Sequence, residues 1–359
     1  MPKNGMLIRI ALAVAAIAVV AATAAGSGSA ARTSGVTING AGSSLIAPAI
    51  QGTYWAKHFH GATGNTVNYS SVGSGTGEKA IDTRQVSFGA SDAPLSVYKN
   101  TPNPCAGCVQ IPWALTGTVP VANIGLANGK LHLTGTVLAN IYLGKITTWN
   151  NSAIKKINPG VKLPSKPISV VYRSDGSGDT YVWTHYLSAV SKAWKSRVGF
   201  STTITNWPTG TGFKGNSGVA AAVKSTPGAI GYVSAAYVGS SHLDSAALQN
   251  RSSHYVTVSI NAIAQAAKIV TKVPSNNEIS LVNPPASSKY AGAWPISTFT
   301  YVFLHKNGDL NAAATNTTKA FIKWALQHGQ YMIRPLTFAP LSSIVINASL
   351  KTLGQVSFK

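Results

Sequence analysis

Short apolar runs alternate with helical stretches along most of the chain, and turns rich in glycine and serine separate them. Residues 36–39 read as a strand, 40–44 as a turn, and 45–60 as a helix with Ile50, Tyr54, Trp55 and Phe59 on one face. A strand at 66–70, a glycine turn at 73–77 and a helix from 78 to 83 repeat the unit. A short strand at 86–89 then ends in Ala90-Ser91-Asp92-Ala93-Pro94. An apolar strand pattern covers 111–124, and a short helix 135–143. The strand at 168–172 runs through a polar turn into a helix at 180–190. Gly215-Asn216-Ser217-Gly218 opens a helix at 219–224, followed by a strand at 229–233. Residues 240–292 are polar and less periodic; a strand (298–304) and two helices (312–328 and 342–353) close the chain. No internal repeat is visible. Units of this kind predict an α/β fold with mostly parallel strands, binding ligands beyond the strands' carboxyl ends.

The turns carry the chemistry. Gly42-Ser43-Ser44, Gly73-Ser74-Gly75 and Ser177-Gly178 each stand before a helical pattern. Each places a hydroxyl and free N–H groups at the positive end of a helix dipole. Ser91-Asp92 adds an acceptor, and the strand at 168–172 stops at Arg173, just ahead of Asp175, Ser177, Gly178 and Asp179. One Ser-Gly turn is an ordinary helix cap. Four, one of them with an arginine, form a site for a tetrahedral anion. Asp92 narrows the choice: a carboxylate accepts the O–H of hydrogen phosphate, whereas sulfate carries no proton to offer it.

Composition changes the picture in two ways. The 359 residues, 45% of them apolar, suffice for about two domains with real cores. Only 10% are charged, with 29 Lys and Arg against 8 Asp and Glu, a formal charge of +21. The basic residues are scattered singly, with no basic run or helix face, which argues against a nucleic-acid partner. The imbalance comes from missing acids, and three of the 8 are Asp92, Asp175 and Asp179, all in candidate site turns. Scarce carboxylates suit an acidic medium outside the cell, where a fold that relied on many ionised acids would lose stability.

Lys3 and Arg9 precede an apolar run at 10–25 and small residues including Ala22-Thr23-Ala24, so residues 1–35 read as a secretory signal peptide and linker. An uncleaved membrane anchor is the alternative, and either reading places the protein outside the cytoplasm. In an exported chain the two cysteines, Cys105 and Cys108, are expected to close a small disulfide loop. A metal site would lack two further ligands of matching spacing, and nothing calls for a cofactor.

From about Thr37 onward the chain resembles the phosphate-binding-protein family of the bacterial and archaeal phosphate ABC transporter. The resemblance rests on Gly40-Ala41-Gly42-Ser43-Ser44, Val72-Gly73-Ser74-Gly75, the stretch from Phe88 to Ser96, Arg173-Ser174-Asp175-Gly176-Ser177-Gly178, Lys214-Gly215-Asn216-Ser217-Gly218 and Ala293-Trp294-Pro295-Ile296, in family order. It implies a two-lobed type II periplasmic-binding-protein-like fold with a two-crossover hinge. Lobe one would hold 36–115 and 297–359, and lobe two 116–296. A monomer would close on one inorganic phosphate and deliver it to the permease subunits of the transporter, without catalysis.

Carried over by motif, Ser44 and Ser74 donate their hydroxyls and N–H groups, the N–H of Leu45 lies beside Ser44, and Asp92 accepts the phosphate proton. Arg173 supplies the guanidinium, oriented by Asp175, and Ser177 and the N–H of Gly178 complete the second lobe. Asp179 departs from the threonine of many members. As a second acceptor it favours a phosphate with two protons; as a helix cap pointing away it leaves the protonation state open. The alternatives are another tetrahedral oxyanion, arsenate or sulfate, and a secreted phosphatase. The phosphatase is disfavoured because the chain has no Gly-x-Ser-x-Gly elbow and none of its histidines lies within four residues of a site turn, His185 being nearest.

Overall fold

The computed structural model describes residues 35–99 and 105–359. The segment read as a targeting signal therefore lies, except for Gly35, outside the described residues. Three parallel strands come first: β1 (Thr37–Gly42), β2 (Thr66–Ser71) and β3 (Phe88–Ser91), with β1 in the middle. Helices α1 (Ala47–Ile50), α2 (Trp55–Thr63) and α3 (Ser74–Asp82) connect them. The single helix expected at 45–60 is thus two: Pro48 sits in the first turn of α1, and Gly52, at φ +65°, turns the chain where only glycine is comfortable. Helix α3 begins at Ser74 rather than after the glycine turn, so Ser74 itself lies in its first turn.

Strand β4 (Cys108–Ala122) leaves this layer and builds the next one. There follow β5 (His132–Leu133), α4 (Gly135–Tyr142), α5 (Ser152–Ile157), β6 (Ser169–Arg173), α6 (Gly178–Val190), α7 (Lys192–Arg197), β7 (Thr211–Phe213), α8 (Gly215–Ser225), β8 (Ala229–Ser234) and α9 (Ala235–Ser240). The weakly periodic region holds β9 (Ala247–Gln249), β10 (Tyr255–Val256) and α10 (Ile260–Ala267); β5, β9 and β10 form a small separate sheet. Strands of two or three residues are too short to show a period. The chain returns through β11 (Ser297–His305) and ends with α11 (Ala312–Gln327) and α12 (Ser343–Leu353).

The main sheet has eight strands in the order β2-β1-β3-β11-β4-β8-β6-β7, and the protein has the two-lobed type II fold. Both wings are parallel, but the centre is not: β11 runs antiparallel to β3 and β4, and β4 antiparallel to β8. The expectation of mostly parallel strands holds for the two wings and fails at the centre. A chain that crosses out along β4 and comes back along β11 must run the second strand against the first. Both are buried and read as continuous apolar runs, so direction leaves no mark in the sequence. Strand β4 changes partner within one step, with Gly117 opposite Ser297 of β11 and Thr118 opposite Ser234 of β8. A side chain at Gly117 would stand 2.7 Å from the Trp294 ring, whose Nε1 donates to the Thr118 carbonyl at 3.1 Å. The crossover is packed too tightly for a Cβ.

Each half has its own aromatic core. Trp55 and Trp113 meet at 5.2 Å between centroids, with Phe59, Phe88 and Phe321 around them. In the other half Tyr142, Trp183, Trp194, Trp207 and Tyr232 pack together. Each such buried ring contributes roughly 4–6 kcal/mol of transfer free energy, so both halves can hold their shape while hinging at two strands. Among the described residues no helix is long and apolar enough to cross a membrane.

Candidate anion-binding site

The predicted turns converge between the two halves. On one side, Gly42 (φ +143°) lets the chain turn against β3, where the N–H of Ser43 donates to the Ala90 carbonyl at 2.8 Å. The Ser43 hydroxyl donates to Asp92 Oδ2 at 2.6 Å and accepts the N–H of Leu45 at 3.0 Å. Ser44, Ser74 and Asp92 are each no more than 4% exposed. Asp92 Oδ1 has no hydrogen-bond partner among the described residues. A buried carboxylate oxygen is costly to leave unpaired, so this atom marks where a proton-bearing ligand is accepted.

On the other side, β6 delivers Arg173 at its last position. The guanidinium grips Asp175 with two bonds, Nε to Oδ1 at 2.7 Å and NH2 to Oδ2 at 2.5 Å. Asp175 is held in turn by the N–H of Gly215 at 3.0 Å, so it orients the arginine. These contacts keep the Asp175 carboxyl below the usual range although burial pushes it up. Ser177 caps α6 by accepting the N–H of Thr180 at 3.2 Å.

The two sides touch through hydrogen bonds. Gly178 N donates to Ser74 Oγ at 3.0 Å, and Gly75 N to the Gly176 carbonyl at 3.1 Å. The Ser44 hydroxyl accepts from Asn216 twice, from N at 3.2 Å and from Nδ2 at 2.9 Å. A Cβ at Gly178 would come within 2.6 Å of Asp92, so glycine there is a condition of the approach.

The structure thus brings together Ser44, Leu45, Ser74, Asp92, Arg173, Asp175, Ser177, Gly178 and Asp179. One detail differs from the expected roles. The hydroxyls of Ser44 and Ser74 accept across the interface, and the N–H of Leu45 is taken by Ser43. Asp179 does not point away. It is fully buried; Oδ1 accepts the Thr118 hydroxyl at 2.7 Å, and Oδ2 accepts Asn216 Nδ2 at 2.7 Å and Arg173 NH1 at 3.3 Å. Burial pushes both Asp92 and Asp179 upward, and the charge of Asp179 helps to raise Asp92 to about 8. Arg173, Thr118 and Asn216 oppose the rise at Asp179, as Ser43, Arg173 and Thr300 do at Asp92.

Sequence reasoning missed Ser43, Thr118, Asn216 and Tyr232. Asn216 is fully buried, and its Oδ1 accepts the N–H of Ser234 at 2.7 Å, completing four bonds at one residue. Its signal was present: it stands in a glycine turn before a helix, like the serines that were chosen. Tyr232 hydroxyl accepts the N–H of Arg173 at 3.1 Å and pairs with Thr180. Cys105 and Cys108 are joined to each other, with His305 Nε2 at 3.9 Å from Cys105 Sγ. His185 stacks on Phe200 and lines a small cavity that Asp92 also borders, without a hydrogen bond to a site residue among the described residues.

A two-lobed frame with helix N-termini and one carboxylate-clamped guanidinium at the interface is the architecture of a solute-binding protein. The PBP superfamily domain matches residues 21–328, and the chain belongs to that superfamily. It is 41% identical to the phosphate-binding protein PstS of Xylella fastidiosa over 314 residues, 87% of this chain and 84% of that protein. It is 40% identical to PstS of Pasteurella multocida over 316 residues, 88% and 89% of the two chains. A solved phosphate-binding protein from Stenotrophomonas maltophilia shares the fold, with a TM-score of 0.64 at 20% identity over 88% of this chain and 93% of that one.

Proposed function

We propose that the protein binds inorganic phosphate outside the cytoplasm and hands it to the permease subunits of a phosphate ABC transporter. The observation that carries this reading is Asp92 Oδ1, a buried acceptor without a partner, set opposite Arg173 and the first turns of α3 and α6. Once Asp92 is ionised, only an anion that brings its own proton satisfies all of these groups at once, which favours phosphate over sulfate. Arsenate has the same shape and protons and is the expected competitor.

The lobes are bounded by the crossover strands: residues 36–115 with 297–359 form one and 116–296 the other. The partner switch of β4 at Gly117 and Thr118 supports this division. Closure joins Ser44 and Ser74 to Asn216 and Gly178, so binding and closure are one equilibrium and the closed form is what the permease reads. The protein acts as a monomer and without catalysis; no histidine among the described residues hydrogen-bonds a serine of the site. Cys105 and Cys108 have a structural role in the first lobe.

Isothermal titration with phosphate, arsenate and sulfate tests the reading. Phosphate and arsenate are to bind with one ion per chain and sulfate at least ~100-fold more weakly. Equal affinity for sulfate would refute the role of Asp92. Turnover of a chromogenic phosphoester by the pure protein would refute the absence of catalysis.

A further inference from the structure

Two cysteines three positions apart lack a third ligand nearby in the sequence, but the fold supplies one from 200 residues away. Strand β4 begins at Cys108 and β11 ends at His305, and the antiparallel register sets these two residues opposite each other. The N–H of Lys306 donates to the Gly107 carbonyl at 2.9 Å and holds the Cys loop against the end of β11. The two sulfurs and a ring nitrogen of His305 all lie within 4.8 Å of one another, with Cys105 Sγ at 3.9 Å from Nε2. Sulfur at about 2.3 Å and nitrogen at about 2.0 Å from a tetrahedral zinc ion stand roughly 3.5 Å apart, so the imidazole is close to a ligand's place.

We propose that Cys105, Cys108 and His305 form a zinc site once the bond between the two cysteines is reduced, so that disulfide and metal are alternative clasps on the same loop. Reduction by a dithiol breaks the S–S bond, moves two electrons and two protons onto the sulfurs, and leaves the reductant as its own disulfide. The cation then displaces both thiol protons. Parting the sulfurs to roughly 3.8 Å is a matter of side-chain rotation in a loop whose tip, Ala106 and Gly107, is exposed. Cys105 stays anchored, because its N–H donates to Glu78 Oε1 at 3.2 Å. With the disulfide closed, His305 Nε2 donates its proton to the Ile81 carbonyl at 2.6 Å. That carbonyl also accepts the N–H of Arg84 at 3.1 Å, so it stays paired when Nε2 turns its lone pair to a cation and the proton moves to Nδ1. A metal-bound histidine needs an acceptor for its other N–H. His305 lines a small cavity with Asp309 and Thr318, whose Oδ2 and Oγ1 are buried without a partner among the described residues. Two sulfurs and one nitrogen leave the fourth zinc position to water.

The test uses the full chain, reduced with a dithiol, freed of it without air, and titrated with cobalt(II) and then zinc. One cobalt ion per chain is to bind, with a sulfur-to-cobalt band in the near ultraviolet and tetrahedral bands in the visible, and zinc is to displace it. The oxidised chain and the reduced Cys105→Ser, Cys108→Ser double variant are to show no such bands. His305→Gln is to weaken zinc binding more than ~100-fold and Asp309→Asn about 10-fold, since losing a ligand costs more than losing its support. X-ray absorption of the zinc-loaded wild type is to show two sulfurs and one histidine nitrogen, and this decides the matter if the variants do not fold. A reduced chain that gives no cobalt band overturns the inference. Zinc affinity unchanged in His305→Gln, or equal in the oxidised chain, overturns it too. None of these outcomes bears on the phosphate reading.

Discussion

Replacing Asn216 by alanine removes the residue that ties the two lobes at the site. Three buried groups lose a partner. The N–H of Ser234 loses its acceptor at 2.7 Å, Asp179 Oδ2 loses a donor at 2.7 Å, and Ser44 Oγ loses a donor at 2.9 Å. An unsatisfied buried group costs about 1–3 kcal/mol. Asp179 keeps Thr118 and Arg173, and Ser44 keeps the Asn216 backbone N–H, so both fall at the low end. The whole change is then roughly 3–6 kcal/mol, a large share of a typical stability of about 5–15 kcal/mol. For a chain of this length each kcal/mol moves Tm by about 1.5 °C, so calorimetry is to show a fall of roughly 4–9 °C. Phosphate affinity is to fall at least ~10-fold, because the lost bonds exist only when the lobes meet. A Tm within about 1 °C of wild type would refute the view that Asn216 is a structural joint. An unchanged affinity would refute its part in closure.

Asp92→Asn replaces the unpaired acceptor by an amide, and the preference for phosphate over sulfate, read by competition titration, is to shrink by at least ~100-fold. Gly178→Ala drives a Cβ to 2.6 Å from the Asp92 backbone N and is to cost about 1–3 kcal/mol, seen as a lower denaturation midpoint and weaker binding. Stability in phosphate-free buffer follows the raised carboxyl of Asp92, at about 8 in the fold. The native state keeps a proton that the unfolded chain releases, so stability is highest on the acid side and is lost as pH rises toward 8. Burial lowers His185 and His305, so below about 6.5 the unfolded chain gains protons that the fold does not, and stability falls again. Melting is therefore to peak at or below about pH 6.5, where the gain from the histidines and the loss from Asp92 balance, and Asp92→Asn is to flatten the fall on the alkaline side.

The site was more legible than the frame around it. Serines before helical patterns, an arginine at a strand end and carboxylates confined to turns are local signals, and each keeps its meaning wherever the fold places it. Strand direction is not local. Residues 108–122 and 297–305 are both buried nearly throughout, and a strand buried on both faces reads the same in either direction. The helix expected at 45–60 failed for a local reason of lower contrast: the apolar spacing continues across Gly52, and only its positive φ reveals the break. Thr118 escaped for a third reason. Its value lies in what it holds, and a donor to another side chain in mid-strand has no signature until the partner is in place.

Charge runs through the molecule on two length scales. A formal charge of +21 from scattered basic residues draws anions in from a distance, but salt screens it beyond about 8–10 Å. That field cannot tell phosphate from sulfate. At the site the sign reverses: three of the 8 acids gather around one arginine, and an arriving anion is judged on its protons and its charge. Capture and selection are thus separated in space. Removing a surface lysine is expected to slow association in a salt-dependent way and leave specificity alone, whereas changing Asp92 or Asp179 alters specificity at any ionic strength.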